Sequence, residues 1–224
     1  MKKTKSTRKI NRIGDWFLRF GDIEYFTQRD NKNDPNRTCY PTSVAMIVNY
    51  CLNLVGKTRK DIGCPEGMQL EDYFHRCIYV TYANEVKAYM RTYGSWIERF
   101  LRPGQKHLTF ACNKFIFDKF MNQFGFTLTY RPNLSIDEVC LILDRTNMPQ
   151  IIHGNYKSIS SVQGHVVAIS GYDKRHRNFC IEDPFGDAGS RYVNHNGENV
   201  RYSMDLKVWK DRSDGIAMTV VERL

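Results

Sequence analysis

The sequence predicts an α+β domain, with helices leading and an antiparallel sheet closing the chain. Three observations carry this. Val44, Ile47, Val48 and Cys51 recur at i, i+3, i+4 and i+7 just after Pro41, the spacing of a buried helical face. Ser135-Ile-Asp-Glu138 opens a second apolar run with the signature of an N-terminal capping box. From His165 to Tyr172, and again from Asn178 to Asp183, the chain is β-rich and apolar. The charged connection Asp173-Lys-Arg-His-Arg177 parts these two runs, and Pro184 stops the second.

In chain order, Met1 to Arg12 carries six Lys or Arg, and residues 1–14 are predicted to be a basic tail ahead of a single domain, 15–224. Trp16 to Gln28 is aromatic and strand-like. The helix that follows carries Pro41 in its first turn, where the missing N–H has no intrahelical partner to lose, with Thr38 or Cys39 as its cap. Residues 55–69 read as loop. Leu70 to Leu101 holds amphipathic pieces such as Glu85 to Arg91, and Arg102-Pro-Gly-Gln105 is a turn. Asn113 to Gly125 reads as a helix stopped by glycine, with Phe115, Phe117, Phe120, Met121 and Phe124 forming a core face. The helical material near 55–125 is expected to be an insertion. A short strand (Phe126 to Tyr130), the capped helix from Ser135 to Asp144 and a strand from Met148 to Tyr156 complete the approach to His165.

Composition narrows the class. At 224 residues, 42% hydrophobic and 13% aromatic, the chain can bury one sizeable core. No run of about 18 apolar residues occurs, so no transmembrane segment is expected. Asp15 and Arg19 interrupt any secretory apolar core, and synthesis in a reducing cytoplasm is the expectation. Seven cysteines, at spacings of 12, 13, 13, 35, 28 and 40, give neither a disulfide framework nor a zinc pattern. His75 and Cys77, at i and i+2, would point apart on a helix. No metal or cofactor is expected. A formal charge of +9 favours an anionic partner, with the basic N-terminus as a contact point for an anionic polymer. No helix-turn-helix, zinc finger or aromatic RNA-binding string accompanies that charge.

The chemistry lies in Cys39 and His165. A thiol attacks as thiolate, and Cys39 sits where unpaired amides and the positive end of a helix dipole favour a negative sulfur. If Tyr172 faces Asn178 across the charged connection, paired positions sum to 350 and Asp183 lies opposite Val167. His165 shares a face with Val167, so Asp183 becomes its diagonal neighbour, at roughly 7–8 Å between backbones. An aspartate there would fix the imidazole and leave its other nitrogen to Cys39. A slip of one residue would turn Asp183 to the opposite face. Of the remaining histidines, only His153 ends a strand expected to lie beside that of His165.

The strings Gln28-Arg-Asp-Asn31, Cys39 to Met46, Gly164-His165-Val-Val-Ala-Ile-Ser-Gly-Tyr-Asp173 and Ile181-Glu-Asp183-Pro-Phe-Gly186 resemble the bacteriocin-leader-peptidase-like branch of the papain-like cysteine peptidases. Ser135 to Leu143 and Met148 to Ile152 extend the resemblance, which runs over roughly residues 23 to 186. It implies a papain-like fold, with the nucleophile helix packed on the C-terminal sheet. It also implies Cys39 as nucleophile, His165 as general base and acid, Asp183 as orienter and Gln28 as side-chain oxyanion donor, beside the Cys39 amide. Two features depart from the family pattern. Tyr40 stands where a glycine commonly follows the nucleophile, and the step from Gln28 to Cys39 is lengthened by Asn31 to Arg37, which makes Gln163 a rival to Gln28. The leader peptidases of that branch are fused to a membrane transporter, and no transporter region is expected here. The segments Arg191 to Tyr202 and Trp209 to Val221 resemble tails of domains carried by phage lytic and virion proteins.

Amide hydrolysis through an acyl-enzyme is therefore expected. Peptidoglycan peptides lead as substrate, which would require release to the cell wall. A protein-processing peptidase, and a non-catalytic basic interaction or virion protein on the same fold, are the alternatives.

Overall fold

The computed structural model describes residues 10–97, 107–156, 164–209 and 215–224. The tail before residue 10, the turn at Arg102 to Gln105 and Gln163 lie outside them. Five helices, α1 (Cys39–Leu54), α2 (Leu70–Arg76), α3 (Ala83–Ile97), α4 (His107–Met121) and α5 (Ile136–Thr146), pack against an eight-stranded antiparallel sheet. Its strands are β1 (Ile10–Ile13), β2 (Phe17–Phe20), β3 (Phe126–Leu134), β4 (Gln150–Gly154), β5 (His165–Asp173), β6 (Asn178–Glu182), β7 (Val200–Ser203) and β8 (Ile216–Arg223). The fold is α+β, as the sequence predicts.

β5 organises the sheet. Its first half pairs with β4 and its second half with β2 along the same edge, while β6 runs along the other edge and carries β7. β4 leads through β8 to β3. The last strand in sequence is thus an interior one. β1 corrects the predicted boundary of the basic tail: Ile10 to Ile13 pair with Phe17 to Phe20, and Arg12 reaches Asp144 of α5 at 2.9 Å.

The predicted pairing of Tyr172 with Asn178 is off by one, since Asn178 faces Asp173 and Tyr172 faces Phe179. A bulge then absorbs the error. Gly171 pairs with Cys180 but Ile169 with Ile181, so Ser170 is the extra residue, and Ala168 faces Glu182. Beyond the bulge the sums return to 350, and Asp183 emerges on the face that carries His165. Gly171 sits where β2 presses in: a Cβ there would lie 2.1 Å from the carbonyl oxygen of Leu18. Only glycine lets β2 continue the edge that β4 leaves.

α1 is buried from Tyr40 to Leu52 on every side, rather than along the one face its periodicity suggests. α2 and α4 enclose it on one side and β5 and β4 on the other, as expected for a helix that is apolar nearly all round. The first core joins α1, α2 and α4 to one sheet face through Val44, Ile47, Phe74, Phe117, Ile151 and Ala168. The second lies on the other face, where Val139, Cys140 and Leu143 of α5 meet Ile152, Val167, Ile169 and Trp209. α5 begins as predicted: the Ser135 hydroxyl accepts from the Glu138 amide at 3.2 Å, and Glu138 accepts from the Ser135 amide at 2.8 Å. α4 starts at His107, earlier than expected, because Ala111 and Cys112 extend its buried face upstream. Among the described residues, no helix is long and apolar enough to cross a membrane.

Candidate active site

Three anchors fix the head of α1. Thr38 precedes the helix without a capping bond of its own. Instead the buried amide nitrogen of Asn31 donates to the hydroxyls of Thr38 (2.8 Å) and Thr42 (3.0 Å), tying the polar 31–37 segment to the first turn. The Ser43 hydroxyl donates to the carbonyl of Val166 at 3.1 Å, so the helix is pinned to β5 one residue past His165. Cys39, at the first helical position, is half-buried, whereas the other six cysteines are buried thiols. Burial pushes Cys112 and Cys180 up to about 11 and Cys140 up to about 12, which keeps these three protonated at neutral pH.

His165 and Asp183 meet as the register requires. The imidazole Nε2 lies 2.7 Å from Asp183 Oδ1, with both groups essentially out of solvent. That leaves Nδ1 on the side of the Cys39 sulfur, which contributes to the electrostatic environment of the ring. Burial opposes the charge on the ring, but the Asp183 carboxylate and the Cys39 sulfur outweigh it and raise its pKa to about 10. The ring is caged edge-to-face by Tyr156, Tyr192 and Phe185, at centroid distances of 5.0, 6.1 and 6.2 Å. Tyr192 reaches it from a turn in which Arg191 and Tyr192 both take the left-handed conformation, at φ 55° and 63°, uncommon outside glycine.

A buried carboxylate is stable only if its oxygens are satisfied. Asp183 Oδ1 also accepts from the Phe185 amide at 2.9 Å, and Oδ2 accepts from the Tyr202 hydroxyl at 2.8 Å. Tyr202 itself accepts from the Ala188 amide at 2.7 Å. The Asp183 backbone is held as firmly. Its N–H donates to the Gly197 carbonyl, and its own carbonyl accepts from the Tyr25 hydroxyl at 2.9 Å. Gly197 is packed so tightly that a Cβ would lie 2.0 Å from the Asp183 carbonyl oxygen.

Gln28 is buried in a short turn after Thr27, and its amide N–H donates to the Pro184 carbonyl at 2.8 Å. This bond joins the upstream motif directly to the Asp183-Pro184 segment. The side-chain Nε2 donates to the Pro35 carbonyl at 2.6 Å, which takes one of its two hydrogens, and Oε1 is buried without a partner. The longer 31–37 segment thus supplies the contact that orients the Gln28 amide. The four predicted residues converge through this chain of contacts: Gln28 to Pro184, Asp183 to His165, His165 to Cys39.

His153 does not join them. Its Nε2 is bonded to the Thr219 hydroxyl at 2.8 Å, which also meets the Tyr40 hydroxyl at 2.9 Å. No carboxylate contributes to its environment, and burial lowers its pKa to about 4. Tyr40, in the place of the usual glycine, therefore closes a buried polar contact with β4 and β8. Sequence reasoning missed Tyr202, Tyr25, Asn31 and Gly197, each acting across more than a local stretch. The only local signal was the density of Tyr, Asn and Gly between Tyr192 and Tyr202. Among the described residues, no group of three or more His, Cys, Asp or Glu could hold a metal ion.

Two expectations follow from this geometry. Tyr202→Phe keeps the ring and removes one charge-assisted donor, and should lower kcat by roughly ten- to a hundredfold with little change in KM, as steady-state kinetics would read. The raised pKa of His165 also links to stability. A histidine charged more readily in the folded state contributes in full below its unfolded pKa of about 6.5, and the contribution is lost as pH rises through about 10. The stability gap between wild type and His165→Gln, from urea unfolding, should therefore shrink from pH 7 to pH 10.

An α+β fold that brings a cysteine at the head of its central helix against a buried histidine–aspartate pair defines a cysteine peptidase. The model of the Peptidase_C39 like family matches residues 20–214, and the chain belongs to that family. The match agrees with the bacteriocin-leader-peptidase-like resemblance and reaches beyond residue 186, taking in the segment that supports Asp183. A search of curated proteins returned no match.

Proposed function

We propose that the protein cuts an amide bond through an acyl-enzyme, with peptidoglycan stem peptides or cross-bridges as its substrate. The observation that carries the mechanism is the 2.7 Å contact of His165 with Asp183 on a ring that also meets Cys39. Cys39 attacks the carbonyl as thiolate. His165, already charged, delivers its proton to the leaving amine as the tetrahedral intermediate collapses, and then takes one from the water that releases the acyl group. The second hydrogen of Gln28 Nε2 and the Cys39 amide stabilise the oxyanion. Asp183 holds the ring in one tautomer and balances its charge.

The basic charge of the chain favours the wall polymer as substrate, because that polymer is anionic. The family match favours a second reading, a peptidase that processes protein partners. One comparison separates them. Purified peptidoglycan and a proteome-derived peptide library are each incubated with wild type and Cys39→Ser, and products are read by mass spectrometry. Cys39-dependent fragments from peptidoglycan support the first reading, and fragments from the library alone support the second. Retained binding to either substrate with no turnover by wild type would instead leave a non-catalytic protein on a peptidase fold.

A further inference from the structure

Arg29 stands beside the candidate triad and no catalytic step above uses it. Several arginines have a close carboxylate: Arg12 with Asp144, Arg37 with Asp34, Arg59 with Glu24, Arg145 with Glu222 and Arg177 with Asp205. Arg29 has none among the described residues. Its Nε donates to the Phe185 carbonyl at 2.7 Å, its guanidinium lies 4.1 Å from the centroid of the Phe185 ring, and its terminal nitrogens make no hydrogen bond there. Phe185 in turn stands edge-on to His165 at 6.2 Å and to Tyr192 at 5.0 Å.

The guanidinium is thus immobilised at one end, half-buried, and close to the reacting pair. Its backbone is fixed too, since Gln28 is tied to Pro184 and the Thr27 hydroxyl accepts from the Arg29 amide at 3.3 Å. A planar fork of donors held in place, with its counter-ion missing, matches a carboxylate in two parallel hydrogen bonds. Because the side chain is already ordered, a ligand that engages it pays little further entropy. An extended peptide advances about 3.3–3.6 Å per residue, so a group that meets the fork belongs to a residue near the cut bond.

We propose that Arg29 binds a carboxylate of the substrate, and that preferred substrates carry one, as an acidic side chain or a free chain terminus, within two residues of the bond that is cut. This rests on Cys39 and His165 being the reacting pair. Carboxylate-bearing stem peptides meet the requirement, and so does an acidic protein segment.

The test uses haloacetyl probes that alkylate Cys39, followed by mass spectrometry. Bromoacetyl-glycine offers a terminal carboxylate, bromoacetyl-aspartic acid α-amide a side-chain carboxylate, and bromoacetyl-glycinamide neither. Each rate is divided by the same protein's rate with iodoacetamide. In wild type, at least one carboxylate probe should exceed the neutral probe by about tenfold, the size of a charge-assisted pair, and the faster of the two identifies the source. The advantage should vanish in Arg29→Gln and survive only in part in Arg29→Lys, which keeps the charge but not the fork. Should Arg29→Gln fail to fold, Arg29→Lys carries the test, and an advantage undiminished in that variant would overturn the proposal. Equal rates for charged and neutral probes in wild type would overturn the proposal, as would an advantage undiminished in Arg29→Gln, which a general field from the +9 charge would produce. If iodoacetamide itself shows no preference for Cys39, the reacting pair is wrong and the proposal falls with it.

Discussion

Cys39→Ser is expected to abolish amide hydrolysis, with kcat falling by about 10^6-fold, the scale seen when a covalent nucleophile is removed. The physical reason is the electrostatics of the site. His165 carries its charge because a sulfur and a carboxylate flank it, and a serine hydroxyl ionises far too weakly to replace the sulfur as partner. A serine side chain is close to isosteric, so the fold should persist. Circular dichroism and the unfolding midpoint should be nearly unchanged while turnover disappears. Unchanged turnover in this variant would remove Cys39 from the chemistry.

Asp183→Asn is the second large effect, a loss of about 10^2- to 10^4-fold in kcat with KM nearly constant. Oδ1 takes two donors, His165 Nε2 and the Phe185 amide, so an asparagine must keep its oxygen there and turn its NH2 toward Tyr202. Tyr202 can then redirect its proton to the Gly186 carbonyl, 3.3 Å away. The geometry survives but the negative charge does not. His165 loses its main source of attraction while its burial stays, so the ring gives up its proton at lower pH and Cys39 loses its cationic partner. The check is steady-state kinetics with a crystal structure of the variant. A full-rate enzyme would mean that orientation alone, without charge, is what Asp183 provides.

Much of the site was legible in the sequence because its parts are local. The helix periodicity around Val44 and Val48, Pro41 in the first turn, and the capping box at Ser135 each depend on residues within a turn or two. The β5–β6 pairing was legible too, though through two errors that cancelled: the turn is one residue tighter than assumed, and the Ser170 bulge restores the count before Asp183. Bulges follow from how a third strand packs, here β2 against Gly171, and no alternation of side chains announces that. Ile10 to Ile13 read as tail because their partner, β2, had no visible mate of its own. Tyr202 and Gly197 lie 19 and 14 residues after Asp183 in an irregular stretch, and only tertiary contact gives them a role. Arg29 stood in plain view within a recognised string, yet its missing counter-ion is a property of the fold.

The central claim is that Cys39 reacts as a nucleophile and that His165 activates it. The most direct measurement is iodoacetamide labelling at pH 6, read residue by residue by mass spectrometry, for wild type and His165→Ala. Cys39 should be alkylated selectively in wild type, while the six buried thiols stay shielded, and that selectivity should vanish in the variant. Slow, equal labelling of several cysteines in both proteins would contradict the claim and leave the Cys39–His165–Asp183 arrangement a feature of packing alone.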